Sequence, residues 1–122
     1  MIKGIGIDLI EFSRFENMIN SRFIKKVYSD DEISEITTNI ENLSYREIQK
    51  FCGNFAVKEA VVKAFGTGFR GISFKDVKVF RNEYGAPYVV LDGKAKDIYG
   101  ECSILISITN TKESVAAVAV ME

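Results

Sequence analysis

A chain of 122 residues fits one domain built on a single core. Its 47% apolar and 27% charged residues are ordinary for a globular protein, and sixteen basic against seventeen acidic residues (formal net charge −1) argue against a dominant non-specific nucleic-acid surface, though a local basic patch stays open. Histidine is absent, so the commonest general base and zinc ligand are missing, and any catalysis falls to carboxylates, lysines, backbone groups or a hard metal ion.

Residues 4–10, GIGIDLI, alternate as a strand does, with Ile5, Ile7 and Leu9 on one side and Gly4, Gly6, Asp8 and Ile10 on the other. A helix is expected from Ser13 to about Ile24, with Phe15, Met18, Ile19 and Phe23 on one side and Arg14 and Arg22 on the other, followed by Lys25 and Lys26. Ser29 with Glu32 three residues on is a capping box that opens the next helix. From about Ser44 a long helix runs to Gly66, a glycine suited to the C-terminal cap. Period-two segments then take over. FKDVKVFRN and PYVVLD flank EYGA, GKAKDIYG is a short helix capped by Asp92 or Gly93, and CSILISI and SVAAVAVM flank TNTKE. Helices first and antiparallel strands later give an α+β domain spanning 1–122. Pro87 stands at a strand start, where it is tolerated.

No apolar run approaches the roughly 20 residues that span a bilayer, and Met1 leads straight into IKGIGIDLIEF without the features of a secretory leader. Cys52 and Cys102 are isolated and match no metal spacing, so they read as reduced core thiols of a cytoplasmic protein.

Three features could carry chemistry. Asp8 sits mid-strand; a solvated edge-strand aspartate is the plainer reading, but Gly4 and Gly6 on its face mark a close approach by backbone or ligand. Glu59 and Lys63 are four apart in NFAVKEAVVKAFGTGF, so an ion pair of about 0.2–0.5 kcal/mol is the plain account. The apolar residues around them leave little of that helix for solvent. Lys58, about 100° round from Glu59, is expected to snorkel to the surface. GTGFRG, 66–71, offers backbone N–H groups to phosphates, though it lacks the Walker pattern and follows a helix where that loop precedes one. Two carboxylates without histidine suit Mg²⁺ and phosphate oxygens, with a lysine to neutralise phosphoryl charge.

Several blocks in order resemble the bacterial holo-acyl-carrier-protein synthases, which are 4′-phosphopantetheinyl transferases. GIGIDLIEFSRF is similar to the family's GIGxDxxExxRF, FAVKEAVVKAFGTG to FxxKEAxxKAxGTG, and SITNTKESVAAVAV to SISHTxxxAxAxV; GISFKDVKV and GKAKDI fall between. The resemblance covers essentially the whole chain. It implies transfer of phosphopantetheine from coenzyme A to a serine of apo acyl carrier protein, in fatty acid biosynthesis, with 3′,5′-ADP released. It also implies an antiparallel sheet packed on a long helix, in homotrimers whose active sites lie between subunits. By position, Asp8 and Glu59 match the Mg²⁺ ligands and Lys63 a pyrophosphate contact. Glu59 is the candidate to accept the serine proton. Gly66, Thr67, Gly68, Asn110 and Thr111 fall at the coenzyme A site, and Arg14, Arg22, Lys25 and Lys26 where the acidic carrier docks. Two residues depart from the pattern. Asn110 stands where the family usually has histidine, and Asn54 where it favours arginine. Both remove positive charge, so coenzyme A is expected to bind more weakly than in a typical member, with the metal chemistry intact.

Overall fold

The computed structural model describes residues 1–66 and 71–122. Strand β1 (Gly4–Glu11) leads into three short helices, α1 (Phe12–Met18), α2 (Ser21–Val27) and α3 (Asp30–Ile36), and then into the long helix α4 (Tyr45–Phe65). A 3-10 turn at Phe74–Asp76 precedes β2 (Val77–Arg81) and β3 (Pro87–Leu91); α5 (Gly93–Tyr99), β4 (Ile104–Asn110) and β5 (Ser114–Met121) complete the chain. The strands form two antiparallel sheets, one of order β1-β5-β4 and a separate β2-β3 hairpin. The expected α+β class and the sheet packed on a long helix are what the structure has.

Local chemistry sets most of these boundaries. The Ser29 and Ser44 side chains each accept a hydrogen bond from the N–H three residues on, and the Glu32 and Glu47 carboxylates accept one from the serine N–H groups, so both capping boxes are complete. Helix α4 ends where Gly66 turns left-handed at φ 74°. The single helix expected from Ser13 to about Ile24 is broken. Ile19 is extended, and the Asn20 side chain accepts from the Phe23 N–H at 2.8 Å, starting α2 afresh. A capping asparagine competes with helix continuation. The break turns Phe15 and Phe23 together, with ring centroids 5.8 Å apart, and both pack on Phe55 of α4.

How β1 meets α4 decides where the site lies. The strand turns its glycine face, not its isoleucine face, to the helix. A methyl group on Gly4 would strike the Ala64 carbonyl oxygen, and one on Gly6 that of Ala60. The glycines therefore mark a close backbone approach, and the backbone is α4 itself. Asp8, on the same face, is not the water-facing residue of a polar edge; its side chain is only 16% exposed. The apolar face is the outer one, with Ile5, Ile7, Leu9 and Leu105 all 60–69% exposed. Val120 stands between Ile5 and Leu105 in register, and Val118 beside Ile7.

Candidate active site

Asp8, Glu59 and Lys63 come together where β1 crosses α4. Lys63 Nζ donates to the Ile7 carbonyl at 3.0 Å and to Asp8 Oδ1 at 3.2 Å. The Glu59–Lys63 ion pair that the spacing allows is not formed: among the described residues Lys63 pairs with Asp8 across the two elements. Burial raises the Glu59 carboxyl above its ordinary pKa, and the nearby Asp8 charge raises it further, against an opposing pull from Lys63. The two carboxylates open onto a cleft of about 510 Å³, walled by Phe15, Met18 and Phe55 and flanked by Arg14.

This donor set fits a hard cation. Both ligands are oxygen, they repel each other, and a cationic group already sits on one of them. Among the described residues no cluster of three or more His, Cys, Asp or Glu could hold a metal. Two carboxylates alone leave most of a six-oxygen shell to water and phosphate, which is how Mg²⁺ is usually bound.

Lys58 does not snorkel. Its side chain and that of Glu32 are both 0% exposed, with Nζ 2.8 Å from Glu32 Oε2. The ammonium also donates to the carbonyls of Phe74 (2.9 Å) and Val77 (2.6 Å) and lies 5.3 Å from the centre of the Tyr28 ring. Glu32 is saturated in turn: Oε1 accepts from the N–H and hydroxyl of Ser29, and Oε2 from the Val79 N–H. The Lys58 amine is lowered to about 8, burial outweighing the upward pull of Glu32. The pair ties α3, α4 and β2 together one residue away from Glu59.

Asn110 belongs to a different pocket. It lines a space of about 250 Å³ with Arg46, Lys50, Gln49 and Arg81, while Asp8 and Glu59 line the first cleft. Arg46, Lys50 and Arg81 form no ion pair among the described residues. The sequence reading missed all three. Arg46 and Lys50 are four apart on α4, a visible signal, but only the fold brings Arg81 beside them. Thr111 uses its hydroxyl within its own turn, accepting from the N–H groups of Glu113 and Ser114. Gly66 caps α4, whereas Thr67 and Gly68 lie outside the described residues. Arg14 is on α1, and Arg22, Lys25 and Lys26 are on α2; all four are exposed. Asn54 is buried in α4, and its side-chain oxygen lacks a hydrogen-bond partner among the described residues.

A small α+β domain with a carboxylate pair and a lysine at a strand–helix crossing defines a class, and residues 4–119 match the 4′-phosphopantetheinyl transferase superfamily. The chain belongs to that family. A relative from Clostridium acetobutylicum, a holo-[acyl-carrier-protein] synthase, is 42% identical over the whole of this chain and 98% of its own length. The holo-(acyl-carrier-protein) synthase of Bacillus anthracis, solved in complex with CoA (3′,5′-ADP), superposes with a TM-score of 0.83 at 32% identity, over 99% of this chain and 96% of that one. That of Helicobacter pylori, in complex with coenzyme A, gives a TM-score of 0.79 at 28% identity, over 97% and 99%.

Proposed function

We propose that this chain is a holo-[acyl-carrier-protein] synthase. It transfers 4′-phosphopantetheine from coenzyme A to a serine of apo acyl carrier protein, releases 3′,5′-ADP, and serves fatty acid biosynthesis. The observation that carries the reading is the pair of carboxylates, Asp8 and Glu59, lining one cleft with Lys63 in contact with Asp8, in a chain of this family. Asp8 and Glu59 would hold Mg²⁺, whose charge would offset that of the pyrophosphate oxygens during transfer. Lys63 is assigned to the pyrophosphate, and Glu59, directly or through a metal-bound water, is the candidate to accept the serine proton. Gly66, Thr67 and Gly68 are assigned to the coenzyme A site by the family pattern.

Arg46, Lys50 and Arg81 lend the positive charge that Asn110 and Thr111 cannot, so they are assigned to the coenzyme A phosphates. Their presence bears on the expectation of weak coenzyme A binding, which Asn110→His tests: no change in apparent affinity counts against it. Arg14 beside the cleft and Arg22, Lys25 and Lys26 on α2 offer the acidic carrier a basic docking face.

The assembly is a homotrimer with active sites between subunits. Two features support it: the outer sheet face exposes Ile5, Ile7, Leu9 and Leu105 together, and one subunit splits its ligand residues between two pockets. No described helix is long and apolar enough to cross a membrane. We place the protein in the cytoplasm, where both cysteines stay free thiols.

The test is direct. Incubated with Mg²⁺, coenzyme A and apo carrier protein, the chain adds the phosphopantetheine mass to the carrier; intact trimers that transfer nothing at any Mg²⁺ concentration would sink the enzyme reading. Asp8→Ala and Glu59→Ala each abolish transfer without unfolding the protein. If both variants stay active, the metal assignment is wrong.

A further inference from the structure

We infer that Lys63 is an internal counter-cation of Asp8, which it yields when a divalent ion enters, so that one lysine couples metal entry to engagement of the pyrophosphate. The inference rests on the proposed role of Asp8 and Glu59 as metal ligands.

The geometry supplies the competition. Lys63 Nζ spends donors on Asp8 Oδ1 (3.2 Å) and on the Ile7 carbonyl (3.0 Å), both on the strand rather than on its own helix. Asp8 is the more enclosed partner at 16% exposure, while Lys63 is 53% exposed and free to swing outward. Glu59, one helical turn before Lys63, has no ion-pair partner among the described residues. A divalent ion drawn to Asp8 and Glu59 therefore meets an ammonium already in contact with one of its two oxygen donors. Like charges a few ångströms apart repel strongly in a partly enclosed site. Lys63 gives up its Asp8 contact, and the released ammonium is free to turn to the ligand phosphates. Asp8 is thus never left uncompensated: Lys63 holds it beforehand, and the divalent ion holds it afterwards.

The two roles predict effects of opposite sign for one substitution. Lys63→Met removes the competitor and also removes the phosphate contact. Titration of the protein with Mn²⁺ alone, followed by the electron paramagnetic resonance signal of free Mn²⁺, reads the first role without coenzyme A or turnover. Lys63→Met binds Mn²⁺ roughly tenfold tighter than the natural chain, while its transfer rate falls. Arg14→Met, which removes a cation that lines the Asp8–Glu59 cleft and makes no ion pair among the described residues, changes Mn²⁺ affinity by less than about threefold. Unchanged or weaker Mn²⁺ binding by Lys63→Met overturns the inference. So does equal tightening by both variants, because the effect would then be diffuse charge and not the Asp8 contact. Asp8→Asn separates this from the reading beneath it. If Asp8→Asn leaves Mn²⁺ binding intact, the metal site itself is wrong. If Asp8→Asn weakens binding and Lys63→Met does not strengthen it, only the counter-cation role of Lys63 fails.

Discussion

Replacing Lys58 by methionine keeps the straight chain of the side chain and discards its charge. The structure fixes what is lost: a 2.8 Å contact to Glu32 with both side chains fully enclosed, and donors to the Phe74 and Val77 carbonyls. At an effective dielectric near 20, unit charges that close attract by about 6 kcal/mol. Much of that offsets the cost of taking both out of water, so the intact pair adds little net stability. Breaking it is another matter. Glu32 keeps its bonds from Ser29 and Val79 but becomes a buried anion with no cation, a condition that costs about 3–5 kcal/mol. Equilibrium urea unfolding at one fixed protein concentration measures the loss for Lys58→Met and for Glu32→Leu. Their combination should lose clearly less than the sum, by a coupling of about 2 kcal/mol or more, because it leaves no lone charge. Lys78→Met serves as contrast: Lys78 bridges Asp92 and Asp31 at 3.3 and 3.6 Å, both well exposed, and should change stability by less than about 1 kcal/mol. A Lys58→Met loss as small as that of Lys78→Met, or strictly additive losses for Lys58 and Glu32, would refute the reasoning.

If the chain is the proposed trimer, Ile7→Lys on the outer sheet face should give monomers in sedimentation and abolish transfer, with circular dichroism unchanged; an active monomer would remove the argument for shared sites. Arg81→Ala should raise KM for coenzyme A by about tenfold or more, the loss of one charged hydrogen bond, and lower kcat less; an unchanged KM would take Arg81 out of the ligand pocket. Burial lifts the Cys52 thiol from its ordinary 9.0 to about 12, with Asp8 adding to the rise. The native chain should therefore give one reactive thiol to a disulfide reagent at pH 8, at the half-buried Cys102, and two after unfolding. The raised value also fixes the sign of the pH dependence. The native state keeps the Cys52 proton after the unfolded chain has lost it. Stability from this thiol is full below pH 9 and falls by about 1.4 kcal/mol per pH unit from there toward pH 12. A Cys52→Ser chain should lack that component of the alkaline slope.

What could be read from the sequence was whatever short-range chemistry decides. Ser29 with Glu32, the helix start near Ser44 and the Gly66 cap are set within a turn of the residues concerned, and the structure has each of them. The glycines at 4 and 6 were legible as a close approach, but the approaching backbone lies more than 50 residues away and is not local information. The same distance hid the direction of Asp8, since alternation says which residues share a face and not which face the core takes. The helical spacing of Phe15, Met18, Ile19 and Phe23 pointed to one helix, whereas the Asn20 side chain starts a second one within it. The second pocket shows the limit most plainly: Arg46 and Lys50 share a helix face by spacing, yet nothing in the chain order brings Arg81 or Asn110 to them.

The charges of NFAVKEAVVKAFGTGF show why a helix apolar nearly all round can still carry Lys58, Glu59 and Lys63. Each helical step turns about 100°, so neighbours face different partners. Lys58 points to the β2 side and is used up by the fold, with Glu32 and two carbonyls satisfying it. Glu59 points to the cleft beside Asp8, where burial and a like charge penalise its ionised form. Lys63, a turn further on and half-exposed, supplies the compensating charge by reaching across to the strand. Satisfying Lys58 inside the core also ties α4 to the β2–β3 hairpin, and the Gly4 and Gly6 contacts press it against β1. With the helix held on both sides, Glu59 has little freedom to relieve its repulsion from Asp8 by moving away. Taking up a proton relieves that repulsion, and a cation bound between the two carboxylates would relieve it as well.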